Sequence, residues 1–169
     1  MTTTTADLIT EQVTAAYTPS PRQLPSSLGG YTLGPVLGIG GHAKVFAATS
    51  EDSRYAVKVL EKRGSLERFL WEYQVLERVN SPHIVHVYTC DLSPVPFYVM
   101  DLITGSTLHA YRRSQGGLLP IPEVLSIARQ ICAGLDALHR VGVIHRDLCP
   151  GNIMRDEQGH IMLIDLGIA

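Results

Sequence analysis

Cysteine is scarce in this chain: three occur among 169 residues, at positions 90, 132 and 149, and no two form a CxxC pair. Neither a disulfide framework nor a zinc site is indicated, and a reducing, cytoplasmic setting is expected. No apolar run approaches the ~20 residues that span a bilayer. The Thr-rich start lacks the basic and apolar regions of a signal peptide. The sequence therefore predicts no membrane segment within this chain.

An excess of charge of either sign is also absent. Lysine and arginine number 14 against 16 aspartate and glutamate, a formal net charge of −2. This balance argues against nucleic acid or an anionic membrane as the main partner. The length suits one domain or a fragment of a larger one, and the pattern described below favours a fragment.

The order of the predicted elements separates a tail from a folded region. Residues 1–28 contain few large apolar side chains and are expected to be a flexible tail. β-rich runs at 31–37, 45–49, 55–60, 84–88 and 97–100 predict five strands, and helical spacing at 65–79 predicts one helix between them. A longer apolar stripe predicts a helix over 122–139 that Gly142 ends, followed by short strands at 153–155 and 160–165.

A glycine-rich turn, Leu37-Gly-Ile-Gly-Gly-His-Ala-Lys-Val45, lies between the first two of these strands. Glycines allow backbone N–H groups to approach phosphate oxygens without a Cβ in the way. The turn matches neither the dinucleotide-binding fingerprint, because a strand follows it, nor a Walker A motif. By itself it is weak evidence for a phosphate site, since glycine-rich hairpins are common.

Lys58 is placed by strand alternation on one face with Ala56 and Leu60, while Val57 and Val59 face the other way. A lysine among apolar neighbours needs a partner, and Glu72 on the following helix could supply the carboxylate. The alternative is an edge-strand lysine that extends to water.

The segment His145-Arg-Asp-Leu-Cys-Pro-Gly-Asn152 follows the long helix and concentrates polar groups in one loop. Asp147 could accept a hydrogen bond from an attacking hydroxyl, and Asn152 offers an amide oxygen to a hard cation. Asp165 ends an apolar strand, where a carboxylate is costly unless a metal ion or hydrogen bonds compensate its charge.

Taken in order, these residues resemble the protein kinase family over 31–169, because a glycine-rich loop, a strand lysine, a helix glutamate, HRDLxxxN and a metal-binding Asp follow at compatible spacing. The resemblance implies an α+β fold: a five-stranded N-lobe with one helix over 29–101, and the first part of a helical C-lobe over 102–169. Pro150 resembles the Ser/Thr-specific form, and the loop and the closing segment look most like the eukaryotic-like Ser/Thr kinases of bacteria.

The resemblance also implies roles in binding Mg-ATP and in phosphoryl transfer to a Ser/Thr hydroxyl of a protein. Gly38, Gly40 and Gly41 would cover the phosphates, Lys58 would hold the α and β phosphates, and Glu72 would position Lys58. Asp147 would be the catalytic base or hydroxyl-orienting residue, and Asn152 and Asp165 would ligate Mg²⁺. The adenine is expected to contact Leu37, Val45, Ala56, Met154, the gatekeeper Met100 and the hinge backbone from Asp101 to Ile103. Leu76, His145 and Leu166 resemble an internal apolar column of the family.

Several features depart from the family pattern. Ala43 replaces the third loop glycine and Leu166 replaces a Phe, and both changes leave charge unaltered. Cys149 stands where Ser/Thr kinases have a lysine that reaches the transferred phosphoryl group. Loss of such a donor typically costs on the order of 2 to 4 kcal/mol of barrier. A pseudokinase that binds nucleotide and signals by shape is therefore the alternative, and a small-molecule phosphotransferase of related fold is a third possibility.

The chain ends where the family continues with an activation loop and further helices. The apolar stripe of the long helix would then lose much of its covering, and exposed apolar patches favour aggregation. We expect the chain by itself to lack robust kinase activity and to be poorly soluble.

Overall fold

The computed structural model describes residues 24–166, in two compact units. The first contains the described residues up to Phe69 together with Thr89–Val99, and the second contains Leu70–Tyr88 and the described chain from Met100 onward. The strands are β1 (Ser27–Leu28), β2 (Tyr31–Ile39), β3 (Ala43–Ser50), β4 (Ser53–Leu60), β5 (Val87–Asp91), β6 (Phe97–Asp101), β7 (Gly105–Thr107), β8 (Ile153–Asp156) and β9 (Ile161–Leu163). The helices are α1 (Leu66–Arg78), α2 (Leu108–Ser114) and α3 (Ile121–Arg140).

Six strands form one sheet in the order β1-β2-β3-β4-β6-β5. β2, β3 and β4 pair antiparallel, as adjacent strands joined by short turns do. One face of this sheet is buried in an apolar cluster, consisting of Leu28, Phe46, Ala48, Val57, Val59, Phe97 and Val99. The predicted alternation along β4 is therefore confirmed, since Val57 and Val59 face this core.

The predicted boundary of the N-terminal tail is wrong at its end. The prediction places Leu28 in the flexible tail, but Leu28 pairs with Tyr31 in the short strand β1 and is only 1% exposed. The reason is apolar burial, because Leu28 and the half-buried Leu24 pack against the sheet core. Residues 1–23 of the predicted tail lie outside the described part of the chain.

The fourth predicted strand is displaced along the sequence. The expected strand at 84–88 is observed as β5 at Val87–Asp91, while Ile84 makes an isolated parallel bridge to Leu163. His83 and His86, expected on opposite faces of that strand, lie before it, and the His83 ring bonds the Ile161 carbonyl at 2.9 Å. His83 and Ile84 thus contact the small sheet of the second unit.

The second unit is organised around α3 and a three-stranded sheet in the order β7-β8-β9. α3 matches the predicted long helix to within a residue at each end. The helix ends at Arg140, and Gly142 follows with a φ of +77°. The Gly142 and Val143 N–H groups donate to the carbonyls of His139 and Leu138 at 2.9 and 3.0 Å. This closure satisfies the last carbonyls of the helix and directs the chain into the loop that follows. No helix in residues 24–166 is long and apolar enough to cross a membrane.

Candidate active site

The glycine-rich turn is a hairpin tip between β2 and β3. The Gly40 N–H donates to the Ala43 carbonyl at 2.9 Å, so Gly41 and His42 form the tip itself. Gly38 lies opposite Val45 in the strand register, next to an irregularity in the pairing. The side chains of Leu37 and Ile39 are 52% and 73% exposed. Apolar side chains are therefore exposed on both sides of Gly38, and phosphate binding by the backbone N–H groups of the hairpin stays a prediction.

Lys58 is buried in the middle of the sheet. It lies on β4, between β3 and β6 in strand order, and is 9% exposed. The alternative of an edge-strand lysine extending to water is therefore wrong. Its Nζ lies 5.7 Å from the ring centroid of Tyr98, a cation–π contact within the first unit. Val45 lies directly opposite Lys58 on β3, and Ala56 lies opposite Ala47.

Glu72 is a buried carboxylate on α1, 5% exposed. Its Oε1 accepts a hydrogen bond from the backbone N–H of Leu166 at 3.4 Å, within the second unit. This contact places Glu72 beside the segment that carries Asp165. The ion pair of Glu72 with Lys58 stays a prediction.

The catalytic-loop segment holds its acidic and amide groups together by short hydrogen bonds. The Asn152 side-chain NH₂ donates to Asp147 Oδ2 at 2.8 Å and to the Asp147 carbonyl at 3.0 Å. The Asn152 N–H donates to the Cys149 carbonyl at 3.0 Å, which closes the loop between the two residues. Because the NH₂ donates both bonds, the amide oxygen of Asn152 takes no part in them, and cation binding by this oxygen stays a prediction.

Asp165 is joined to the same loop through the backbone. The Ile164 N–H donates to the Asn152 carbonyl at 3.1 Å, so the two predicted metal ligands lie on hydrogen-bonded segments. Within residues 24–166 no group of three or more His, Cys, Asp and Glu side chains is placed to hold a metal ion. An amide oxygen and one carboxylate nevertheless fit Mg²⁺, which proteins commonly hold by one or two such groups together with waters and phosphate oxygens.

His145 supports the loop from inside the second unit. It is 2% exposed, and neither ring nitrogen has a hydrogen-bond partner among the described residues. Burial lowers the pKa of His145 below its usual 6.5, although Asp147 and Asp165 act in the opposite direction. The ring is therefore a neutral packing group. The other predicted members of the apolar column, Leu76 and Leu166, are also buried.

The predicted adenine-contacting residues lie in both units. Met100 is 6% exposed, and Met154 on β8 is half-buried opposite Thr107 on β7. The Asp101 N–H donates to the His86 carbonyl at 3.0 Å, and the Tyr88 hydroxyl donates to Asp101 Oδ1 at 2.6 Å. A base edge at this position would therefore have to use the Asp101 carbonyl or the backbone beyond it.

A polar cluster that connects α2, α3 and β8 was not predicted from the sequence. The Tyr111 hydroxyl donates to Glu123 Oε1 at 2.7 Å, and the Arg155 guanidinium lies 4.2 Å from the Tyr111 ring centroid and 3.7 Å from Glu123. The hydrogen bond to Glu123 is the main reason that the pKa of Tyr111 is raised above 10.0. These residues are 12 or more positions apart, so no local pattern could have found it.

The fold and this site define the class to which the molecule belongs. A sheet with a glycine-rich hairpin and a buried lysine is followed in sequence by a loop in which an asparagine is hydrogen-bonded to an aspartate. The same asparagine is hydrogen-bonded to the residue before a second aspartate. The protein kinase domain family matches residues 31–169, and the chain belongs to this family.

Individual relatives of the chain are named as serine/threonine-protein kinases. The chain is 38% identical over 158 residues to a probable serine/threonine-protein kinase of Streptomyces coelicolor, an alignment covering 86% of the chain and 23% of the relative. It is 33% identical to the probable serine/threonine-protein kinase PknB of Bifidobacterium longum, covering 86% and 24%. It is 36% identical to the serine/threonine-protein kinase YPK2/YKR2 of Saccharomyces cerevisiae, covering 92% and 24%. The chain thus spans about a quarter of the length of these relatives.

Proposed function

We propose that this chain supplies the nucleotide-binding and catalytic-loop parts of a protein serine/threonine kinase, which transfers the γ-phosphoryl group of Mg-ATP to a protein hydroxyl. Residues 29–101 act as the nucleotide-binding lobe and residues 102–169 as the hinge and the start of the catalytic lobe. A cytoplasmic location belongs to this proposal, since the cysteines are unpaired and ATP is the expected co-substrate.

One observation supports the proposal most strongly: Asp147 and Asn152 are in direct contact, and Asn152 is hydrogen-bonded to Ile164, the residue before Asp165. Phosphoryl transfer needs a group that orients the attacking hydroxyl and oxygen ligands for the cation on the phosphates. The names of the relatives, all serine/threonine-protein kinases, agree with this chemistry.

The roles follow from the chemistry of each side chain. Asp147 accepts a hydrogen bond from the substrate hydroxyl and orients it, and the Asn152 amide fixes the carboxylate by donating to it. Asn152 and Asp165 hold Mg²⁺, which, when bound, neutralises charge on the phosphates. Lys58, positioned by Glu72, holds the α and β phosphates under the hairpin of Gly38, Gly40 and Gly41.

The remaining contacts are those of the adenine base. Apolar side chains enclose the ring, and the backbone after the gatekeeper Met100 contacts its edge. The enclosing residues are Leu37, Val45, Ala56 and Met154, and the backbone contacts are those of Asp101 and Ile103. The protein substrate is defined here only by its Ser or Thr hydroxyl.

The test is phosphoryl transfer by a version of the chain extended at its C-terminus, assayed with Mg-ATP by incorporation of labelled phosphate into protein. Asp147→Asn should lower the rate by at least about a hundredfold, because it removes the hydroxyl-orienting carboxylate. Asp136→Asn is the matched control, since Asp136 is exposed and forms an ion pair with Arg140 on its own helix. A phosphoryl-transfer rate of Asp147→Asn within twofold of wild type would contradict the proposal. Labelling of small molecules without labelling of protein would instead favour a small-molecule phosphotransferase of related fold.

A further inference from the structure

The tip of the glycine-rich hairpin is fastened to the connection between β4 and α1. The His42 carbonyl accepts hydrogen bonds from the Glu61 and Lys62 N–H groups at 2.8 and 3.2 Å. The His42 ring Nδ1 lies 2.8 Å from the Ser65 hydroxyl. These contacts extend the β3–β4 ladder beyond its last pair, Ala43 and Leu60. We call His42, its two backbone donors and Ser65 the hairpin clasp.

The hydroxyl that contacts His42 is buried at the end of a short helical turn. Ser65 is 9% exposed, and its N–H donates to the Lys62 carbonyl at 3.0 Å, which closes the turn Arg63–Ser65. α1 begins at the next residue. A hydroxyl at this depth that loses its partner costs more than an exposed one, because it is desolvated without compensation. The His42 contact is therefore a specific attachment to the start of the helix.

A second contact in the same place is ionic. Lys44 Nζ lies 2.5 Å from Glu61 Oε1, and both side chains are about one-third exposed. Ion pairs with this exposure contribute little to stability. The pair therefore orients the two segments relative to each other more than it stabilises them. Hairpin residues on both sides of Ala43 thus contact the connection before α1. In contrast, the tip itself is open around Gly41, where no atom lies within 4 Å of the position that a Cβ would occupy.

We propose that His42 is a positioning residue, which acts through the clasp to hold the backbone N–H groups of the hairpin ready for phosphate. The inference rests on the proposed function, because it assumes that this hairpin binds the phosphates of a nucleotide. A hairpin that is already ordered loses less conformational entropy on binding, so the clasp strengthens binding of phosphate-bearing ligands. It also ties the hairpin position to the first turn of α1, the helix that carries Glu72.

The first experiment tests the clasp without any nucleotide. Hydrogen exchange of the full chain, followed by mass spectrometry at micromolar concentration, reports on a peptide that contains Glu61 and Lys62. Ser65→Ala should speed exchange in this peptide by about fivefold, the equivalent of one ordinary hydrogen bond. Ser53→Ala, at the exposed start of β4, is the matched control and should change nothing there. Unchanged exchange in Ser65→Ala would show that no clasp exists.

The second experiment asks whether the clasp positions the hairpin or merely stabilises the fold. Binding of the Mg²⁺ complex of an imido analogue of ATP is compared with binding of adenosine, which has no phosphates. His42→Ala should weaken the analogue by about three- to tenfold and adenosine by less than about twofold, because only the analogue reaches the hairpin. His42→Asn should restore analogue binding, since an amide can replace Nδ1 as the partner of Ser65. His139→Asn is the control for an exposed histidine elsewhere.

The two experiments separate the inference from the proposed function. Equal weakening of both ligands in His42→Ala would overturn the positioning role, since a general loss of structure affects adenosine as well. Faster exchange together with selective weakening of the analogue is the expected result. If wild-type protein binds neither ligand, the proposed function and the positioning role both fail, whatever the exchange result.

Discussion

His145 is an uncommon residue in a protein interior, because both ring nitrogens are buried and neither has a hydrogen-bond partner in residues 24–166. A buried polar group without a partner is costly, and a protonated imidazolium there would be costlier still. This is the physical cause of its lowered pKa. The folded state therefore favours the neutral ring, which makes stability depend on pH.

The sign of this dependence follows from the direction of the shift. Since the folded pKa of His145 lies below 6.5, the unfolded chain takes up a proton first as the pH falls. The contribution is fully present above about pH 6.5 and is lost as the pH falls through the folded pKa. We expect urea unfolding at pH 7.5, 6.5 and 5.5 to show a steeper loss in wild type than in His145→Phe. At pH 7.5 the two should differ by less than about 1.5 kcal/mol, since the aromatic shape is kept.

The comparison with His145→Phe isolates one residue, because the carboxylates that titrate at lower pH are common to both proteins. Asp156 is one of these. Burial would raise its pKa, but hydrogen bonds from the N–H and ring of His160 and from the Gln158 N–H hold that pKa below 3.8. Parallel pH profiles for wild type and His145→Phe would contradict the prediction.

Cys149 tests how much the catalytic loop depends on positive charge. If a lysine at this position stabilises charge on the transferred phosphoryl group, Cys149→Lys in the C-terminally extended version should raise kcat by roughly tenfold to a thousandfold. Cys149→Ser, which adds no charge, is the control and should leave kcat within about threefold. A rate unchanged by lysine would indicate that another cation already serves this role.

In α3 the local sequence pattern predicts the ends of the helix, whereas tertiary contacts determine which of its residues are buried. Its apolar spacing and its terminating Gly142 predict its ends correctly. The stripe does not predict which residues are covered. Ile127 and Leu138 are buried, at 7% and 0% exposure, whereas Val124 is 46% exposed. Coverage depends on where β9 contacts the helix, and β9 comes later in the chain.

β7 and α2 were not predicted, because short elements carry little pattern. β7 has three residues and α2 seven, fewer than the windows over which hydrophobic periodicity can be recognised. One local signal was present: Thr107 caps α2, its hydroxyl accepting from the Ala110 N–H at 3.2 Å. β7 exists because it pairs with β8, a strand almost 50 residues away.

The β7–β8 pairing gives a prediction at the level of these elements. A Cβ on Gly105 would lie 2.1 Å from the Arg155 carbonyl oxygen, so Gly105→Ala must push the two strands apart. We expect a loss of about 1 to 3 kcal/mol in the free energy of unfolding, as for other overpacked sites, measured by urea denaturation. Gly64→Ala is the control, because its surroundings are open. Equal midpoints for the two variants would contradict the close approach.

At the scale of the whole molecule, apolar side chains remain exposed around α3 and the catalytic loop. Their exposed fractions are large: Leu118 85%, Ile121 76%, Val124 46%, Leu125 52%, Ile144 65% and Leu148 44%. Large apolar side chains that stay exposed favour an interaction site or a tendency to aggregate. The expected poor solubility of the chain alone follows from this surface.

Lysine side chains introduced among these exposed apolar residues should reduce self-association of the chain. We expect Ile121→Lys combined with Leu125→Lys to raise the monomeric fraction of the 169-residue chain in size-exclusion chromatography with light scattering, with little change in thermal unfolding. Ile127→Lys on the same helix should unfold the protein instead, because its site is buried. Wild-type chain that is already monomeric at high concentration would refute the prediction.

The sequence by itself determined the family, the order of the chemical groups and most of the element types. Lys58, Glu72, Asp147, Asn152 and Asp165 occur in a fixed order with recognisable neighbours, and strong periodicity identified α1, α3 and the long strands. These features are local or strictly ordered along the chain, so one sequence contains them.

Only the tertiary structure determined the contacts between segments that are distant along the chain. Four features depend on residues far apart in sequence. They are the burial of Leu28, the displaced β5, the cluster of Tyr111, Glu123 and Arg155, and the contact of His42 with Ser65. Such contacts arise when apolar faces pack and bring distant polar groups within hydrogen-bond distance. Their energies depend on burial and on distances of a few ångströms, which spacing along the chain does not specify.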